Sequence, residues 1–212
     1  ERIMDRHDPQ RRVAIFVDEW GMWHDPEPGT NGAFLQQQNT LRDAVVAALT
    51  FNVFHRHTAR VKMANLAQMV NVLQALVLTD GPRMALTPTY HVFDLYRPFQ
   101  GATPLPAAVQ GAAWRDGPLS LPAVDATLAR GADGALWLAL VNLHPEEAAR
   151  VATGRTGVAR GRLLTGATLD AHNRLGAAPT VQPRPFEAGT ARQPLVLELP
   201  ARSVLVVRLS ET

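Results

Sequence analysis

Residues Arg11–Trp20 read RRVAIFVDEW, an apolar run of Val, Ile and Phe with Pro9 before it and Gly21 after it. A short run that is apolar on both faces suits a parallel strand covered on both sides. After a Gly/Pro-rich loop the pattern turns helical: between Thr40 and Phe54, Leu41, Val45, Ala48 or Leu49, and Val53 fall on one stripe that further apolar residues widen. Asn39 or Thr40 is placed to cap this helix. A second strand is expected at Arg60–Asn65 (RVKMAN) and a second helix after Thr87, with Pro88 at its first position and Pro98 as its stop. The order is therefore βαβα. Two parallel strands with their helices cannot close a hydrophobic layer, because a parallel sheet needs more neighbours and cover on both faces. Residues 1 to about 100 are expected to be an incomplete domain.

Beyond Gln100 the character changes. Runs such as AVDATLAR, ALWLALVNL, PLVLELP and RSVLVVRLS mix apolar with polar positions and are separated by Gly, Pro, Asn and Asp, and RGADGA after Leu128 reads as a hairpin turn. Residues 101–212 are expected to form an antiparallel β-sandwich of ordinary size. The fold class is thus α/β followed by all-β. With 46% hydrophobic and 19% charged residues, 212 residues can bury a sizeable core. Lys62 is the sole lysine, and the remaining 20 basic residues are arginines scattered along the chain against 19 acidic residues, which gives no basic stripe for nucleic acid. The apolar stretches are far too short to span a bilayer, and the first residues, ERIMDRHDPQRR, contain no apolar leader core. The absence of cysteine excludes disulfides and thiolate metal sites and leaves the redox compartment open.

Two carboxylates, Asp18 and Glu19, end the first strand. Strict alternation puts Val13, Ile15, Val17 and Glu19 on one face and Ala14, Phe16 and Asp18 on the other. In a closed parallel barrel the inward face carries bulky branched residues and the reacting groups sit at the C-terminal mouth. The branched set includes Glu19, so Glu19 is expected over the barrel axis and Asp18 toward the helices. A carboxylate there suits a glycosidase nucleophile, which forms a covalent glycosyl-enzyme and works with a second carboxylate roughly 5 to 5.5 Å away. Trp20 and Trp23, just past Glu19, offer an apolar wall for a sugar face, or simply pack.

The stretches VDEWGMW, GAFLQQQNTLRDAVVAALTFNVFHRH, RVKMANLAQMVNVLQALVLTDG and LTPTYHVFDLY resemble the end of the catalytic barrel of α-L-arabinofuranosidases of glycoside hydrolase family 51, almost without interruption from Arg12 to Tyr96. The later β-domain resembles that family's jelly-roll-like sandwich by position and pattern. The resemblance implies the last two βα units of a (β/α)8 TIM barrel over residues 1–100, followed by the sandwich over 101–212. It implies Glu19 as the nucleophile of a retaining exo-hydrolase that releases terminal arabinofuranosyl units from arabinan, arabinoxylan or their oligosaccharides, with Trp23 lining the sugar pocket and Gln68 contacting the hydroxyls. No metal or other cofactor is needed, because two carboxylates suffice. The family's acid/base Glu follows an Asn on the fourth barrel strand, and Asn-Glu occurs nowhere in this sequence. That residue and the N-terminal part of the barrel are expected outside the chain, which alone should be inactive. A homo-oligomer is implied by the family, and a cytoplasmic location is favoured over secretion. The competing reading is a non-catalytic β-sandwich module carrying a remnant of a barrel.

Other residues have plainer readings. His55, His57 and His91 are poorly spaced for a metal and are expected as cations near a helix C-terminus. Arg42 and Asp43, near the helix start, should make structural pairs with strand-end groups, and Asn65 and Asn71 should hold the loop after the second strand rather than bond a sugar hydroxyl. Trp137 is expected in the sandwich core, whereas Trp114 stays open between packing and a sugar platform.

Overall fold

The computed structural model of the chain describes residues 1–210. A short helix α1 (Arg2–His7) precedes strand β1 (Ile15–Trp20), helix α2 (Leu41–Arg56) and strand β2 (Val61–Leu66), and β1 pairs with β2 in parallel. A hairpin of β3 (Val77–Asp80) and β4 (Arg83–Leu86) leads to helix α3 (Pro88–Tyr96). The βαβα order read from the sequence is present. The hairpin was not anticipated, although Asp80-Gly81 is a turn signal and Gly81 has a φ of 55°. Thr40 caps α2 through a capping box with Asp43, and the Thr87 hydroxyl accepts from the Tyr90 N–H at 3.3 Å at the start of α3.

The rest of the chain is β5 (Thr103–Leu105), a hairpin of β6 (Ala113–Asp116) and β7 (Leu119–Pro122), and then β8 (Val124–Arg130), β9 (Leu136–Asn142), β10 (Ala149–Leu164), β11 (Arg184–Leu199) and β12 (Ser203–Ser210). Six of these strands form one antiparallel sheet in the order β11-β10-β12-β9-β8-β5. The two layers of the sandwich are one sheet folded over itself. The pairing of β10 with β11 breaks register between Ala152 and Gly157, and Leu195, Leu197 and Leu199 beyond the break pack on Leu138, Leu140 and Leu205. Asn142 ties the folded layer down by donating to the carbonyls of Leu199 at 3.3 Å and Pro200 at 3.0 Å. Gly189 sits at the bend with φ 90°, where an added Cβ would collide with the Gly157 carbonyl.

The other face of the sheet carries the helices. Leu41, Ala44, Val45 and Ala48 of α2 and Val92, Leu95 and Tyr96 of α3 share one buried cluster with Ala139, Val141, Val204 and Val206. The change of character near residue 100 is therefore not a gap in packing. A polar chain crosses the same interface: the Tyr96 hydroxyl donates to Asn52 Oδ1 at 2.9 Å, Asn52 Nδ2 donates to Asp125 at 2.7 Å, and Arg56 donates to both Asp125 oxygens at 3.0 and 3.1 Å. Val53, expected on the buried stripe, is 43% exposed. The stripe runs on to Asn52 instead, whose amide finds two partners in the interface. The first amides of α2 end on carbonyls of the loop between β10 and β11, Leu41 N–H to Ala171 at 2.8 Å and Arg42 N–H to Leu169 at 2.8 Å.

His55 corrects the expectation of a helix-end cation. Its ring stacks on Phe51 and Phe99 and against Tyr96, and burial, helped by the neighbouring Arg56 charge, lowers its pKa to about 4. The folded ring is neutral. Because its folded pKa lies below the unfolded value near 6.5, its contribution is complete above pH 6.5 and is lost as pH falls toward 4, by roughly 2–3 kcal/mol. Thermal unfolding of His55→Phe should show a flatter stability profile than wild type between pH 6.5 and 4. Equal slopes in that window would mean that another group carries the acid sensitivity.

α1 contributes no buried residue, yet it is held. The fully buried Arg60 side chain donates to Asp5 at 2.6 and 3.2 Å, to Asp8 at 2.6 Å and to the Val13 carbonyl at 2.9 Å. These bonds depress the Asp5 carboxyl; Asp8 is lowered first by the Val13 N–H and then by Arg60. Among the described residues no helix is long and apolar enough to cross a membrane, and no group of side chains could hold a metal ion.

Candidate active site

The C-terminal ends of β1 and β2 lie side by side. Trp20 pairs with Leu66, and the Ala67 N–H donates to the Trp20 carbonyl at 3.0 Å, so Glu19 and Gln68 are carried on adjacent strand ends. Asp18, Glu19 and Gln68 are all exposed. On β1, Val17 pairs with Ala64 and Trp20 with Leu66, so Asp18 and Glu19 together face the single residue Asn65. This is a β-bulge, and it corrects the alternation argument. Val17, Ala64, Trp20 and Leu66 form the half-buried side, whereas Phe16, 58% exposed, and its partner Met63, 42% exposed, lie on the open side. Val17 is thus not on an open inner face. Parity counted along β1 no longer separates Glu19 from Asp18.

Of its two readings, Trp20 has the contacts of the packing one. Its ring packs at 5.4 Å from Phe51, 5.6 Å from Phe54 and 6.0 Å from Phe93, between strand and helices. It is a packing residue. Trp23 is 68% exposed, on the loop that follows Glu19. That loop is fastened on either side of Trp23 by one side chain: Gln37 Oε1 accepts from the His24 N–H at 2.9 Å, and Gln37 Nε2 donates to the Met22 carbonyl at 3.0 Å. The loop then enters α2 through a buried polar cluster. The Asp43 carboxylate, fully buried, accepts from the Thr40 N–H at 2.7 Å, the Thr40 hydroxyl at 3.0 Å, Gln74 Nε2 at 3.2 Å and Arg42 at 3.3 Å. His24 Nε2 lies 3.2 Å from Asp43 and 2.9 Å from Arg42 Nη2, so it accepts from Arg42 in the tautomer with the proton on Nδ1 and donates to Asp43 when it carries the proton itself.

Arg42 and Asp43 do make structural pairs, but with each other, Thr40, His24 and Gln74 rather than with strand-end groups. Asn71 also holds its loop, exchanging bonds with the Thr79 N–H at 2.7 Å and the Thr79 hydroxyl at 3.0 Å. Trp137 is half-buried at the edge of the core and Trp114 half-buried on β6. Gln74 escaped the sequence reading, and so did its bond to Asn39, since amides 35 residues apart meet only in the folded chain. The strand ends with Glu19 and Gln68 form an open surface. A groove of about 900 Å³ lies elsewhere, between the β6–β7 hairpin and the ends of β8, β9 and β10.

The comparisons with known proteins give the family and the fold. The family described as α-L-arabinofuranosidase C-terminal domain matches residues 18–203. A curated protein of Bacteroides ovatus, an intracellular exo-α-L-arabinofuranosidase, is 41% identical over 214 residues, covering 98% of this chain and 41% of that protein. A probable α-L-arabinofuranosidase C of Aspergillus niger is 30% identical over 178 residues, 79% of this chain and 34% of that one. The crystal structure of the family 51 arabinofuranosidase from Xanthomonas axonopodis pv. citri superposes with a TM-score of 0.92 at 46% identity over 99% of this chain and 43% of that one. The α-L-arabinofuranosidase from Thermotoga maritima, solved with arabinose, shares the fold at a TM-score of 0.79 and 22% identity, over 99% of this chain and 45% of that one. The chain thus spans about two fifths of the length of the first of these relatives. With the family matched over most of its residues and the fold shared throughout, this chain belongs to the α-L-arabinofuranosidase C-terminal domain family, within glycoside hydrolase family 51.

Proposed function

We propose that the chain is the C-terminal part of a retaining α-L-arabinofuranosidase that releases terminal, non-reducing arabinofuranosyl residues from arabinan, arabinoxylan or their oligosaccharides. Residues 1–100 supply the last two βα units of a (β/α)8 barrel, and residues 101–212 the sandwich. The observation that carries the reading is the carboxylate of the Asp-Glu-Trp motif, exposed at the C-terminal end of a parallel strand and beside the strand end that bears Gln68. The Glu19 carboxylate attacks the anomeric carbon as the glycosidic bond breaks, and a carboxylic acid from the rest of the barrel protonates the leaving oxygen. Water, deprotonated by the same acid/base residue, then displaces Glu19 and frees arabinose. Gln68 contacts the sugar hydroxyls, and Trp23 offers its ring as an apolar wall. Two carboxylates are sufficient, so the reading invokes no metal. The location named for the Bacteroides relative carries over as a cytoplasmic one, and the enzyme is expected to be a homo-oligomer.

The test is the stereochemistry of the first-formed product. Proton NMR of the full-length enzyme acting on an aryl α-L-arabinofuranoside should show α-arabinofuranose before mutarotation. A β-product would replace the double displacement by direct attack of water. Residues 1–212 alone should show no hydrolysis, since the general acid by itself contributes roughly 10² to 10⁴-fold.

A further inference from the structure

Three segments that serve the proposed site converge on one side chain that touches no substrate. Gln74 is 1% exposed. Its backbone N–H donates to the Ala67 carbonyl at 2.9 Å and so closes the turn that carries Gln68. Its side-chain Nε2 donates to Asn39 Oδ1 at 3.2 Å and to Asp43 Oδ1 at 3.2 Å, which fixes it to the end of the Trp23 loop and the start of α2. Its aliphatic stem presses on Gly21, two residues beyond Glu19: a Cβ built on Gly21 would lie 2.6 Å from Gln74 Cγ and 3.1 Å from Gln74 Cβ.

Asn39 extends the chain of amides in both directions. Its Nδ2 donates to the Ala75 carbonyl at 3.0 Å, and its Oδ1 lies 3.5 Å from the Nε2 of Gln37, the side chain that grips the backbone on either side of Trp23. The two loops are also bonded directly, from the Leu73 N–H to the Leu35 carbonyl at 3.0 Å, and both residues hold a φ of 49°. A left-handed backbone at two leucines costs free energy and persists only where the surroundings over-determine it. Buried amides bonded to one another supply that constraint.

We propose that Gln74 is a positioning residue for the glycosidase site, setting the spacing of the Glu19 strand end, the Gln68 turn and the Trp23 loop. This inference rests on the proposed function. A nucleophile must meet the anomeric carbon in a near-attack geometry, and a displacement of about 1 Å costs on the order of 10²-fold in rate. Gln74 acts through the elements it joins and transfers no proton or bond itself.

The test uses the full-length enzyme and the variants Gln74→Met, which keeps the stem against Gly21 and removes both donated bonds, and Gln37→Met, which frees only the Trp23 loop. Two readouts are taken at a temperature well below unfolding: kcat and KM on an aryl α-L-arabinofuranoside, and exchange of the His24 and Leu73 amides by hydrogen–deuterium exchange. Gln74→Met should lower kcat roughly 10- to 100-fold and speed exchange at both amides at least ~10-fold, the scale of losing one net hydrogen bond to opening. Gln37→Met should raise KM with a smaller change in kcat and speed exchange at His24 alone. Unchanged kcat in Gln74→Met, or unchanged exchange at both amides, overturns the proposal even if the variant melts earlier. Wild-type enzyme inactive on the arabinofuranoside would defeat the functional reading, while the exchange data still decide whether Gln74 joins the loops.

Discussion

Replacing Glu19 by Gln in the full-length enzyme is expected to lower turnover of an aryl α-L-arabinofuranoside by roughly 10⁴-fold or more, the scale of losing a covalent nucleophile, with no change in thermal unfolding. The amide has the shape of the carboxylate and cannot attack the anomeric carbon. Within the described residues no hydrogen bond or ion pair engages Glu19, so the isosteric swap removes chemistry without breaking a bond of this chain. Glu19→Ala should regain part of its rate with azide, which enters the vacated space and forms the glycosyl azide. The bulge makes Asp18→Asn the necessary companion, because alternation along β1 does not distinguish the two carboxylates. Asp18→Asn should lose far less. A loss confined to Asp18→Asn, with Glu19→Gln active, would move the nucleophile by one position.

The second large effect is on stability. Asp43→Ala is expected to cost about 4 kcal/mol, measured by denaturant unfolding of the enzyme. Its carboxylate accepts the Thr40 N–H as its half of the α2 capping box, so its loss strands that N–H and one of the Gln74 donations in the interior at ~1–3 kcal/mol each. Arg42 softens the penalty, since its guanidinium is part-exposed and returns to water. Asp43→Asn keeps one acceptor oxygen but turns an N–H₂ group toward other donors, so it should fall between wild type and Asp43→Ala. A cost below about 1 kcal/mol would reduce Asp43 to an ordinary helix cap.

Local chemistry made much of this chain legible as sequence. The apolar run ending in Asp18-Glu19, a cap of α2 at Asn39 or Thr40, the Thr87-Pro88 start of α3 and the turn after Arg130 each depend on neighbours within a few residues, and each appears in the fold, the cap at Thr40. The long motifs around Glu19, Trp23 and Gln68 pointed to the family, and the family match covers them. What required the tertiary structure depends on partners far along the chain. The bulge at Asp18-Glu19 exists because β2 offers one residue where β1 has two, which no count along β1 reveals. Trp20 was committed to the aromatic cluster by Phe51, Phe54 and Phe93. His55 lost its charge because α3 closed over it, and Arg60, an unremarkable arginine at a strand start, became a buried clamp when Asp5 and Asp8 met it from over 50 residues away. Periodicity reports which face of an element is apolar; only packing decides which polar groups are shut away from water and must therefore find one another.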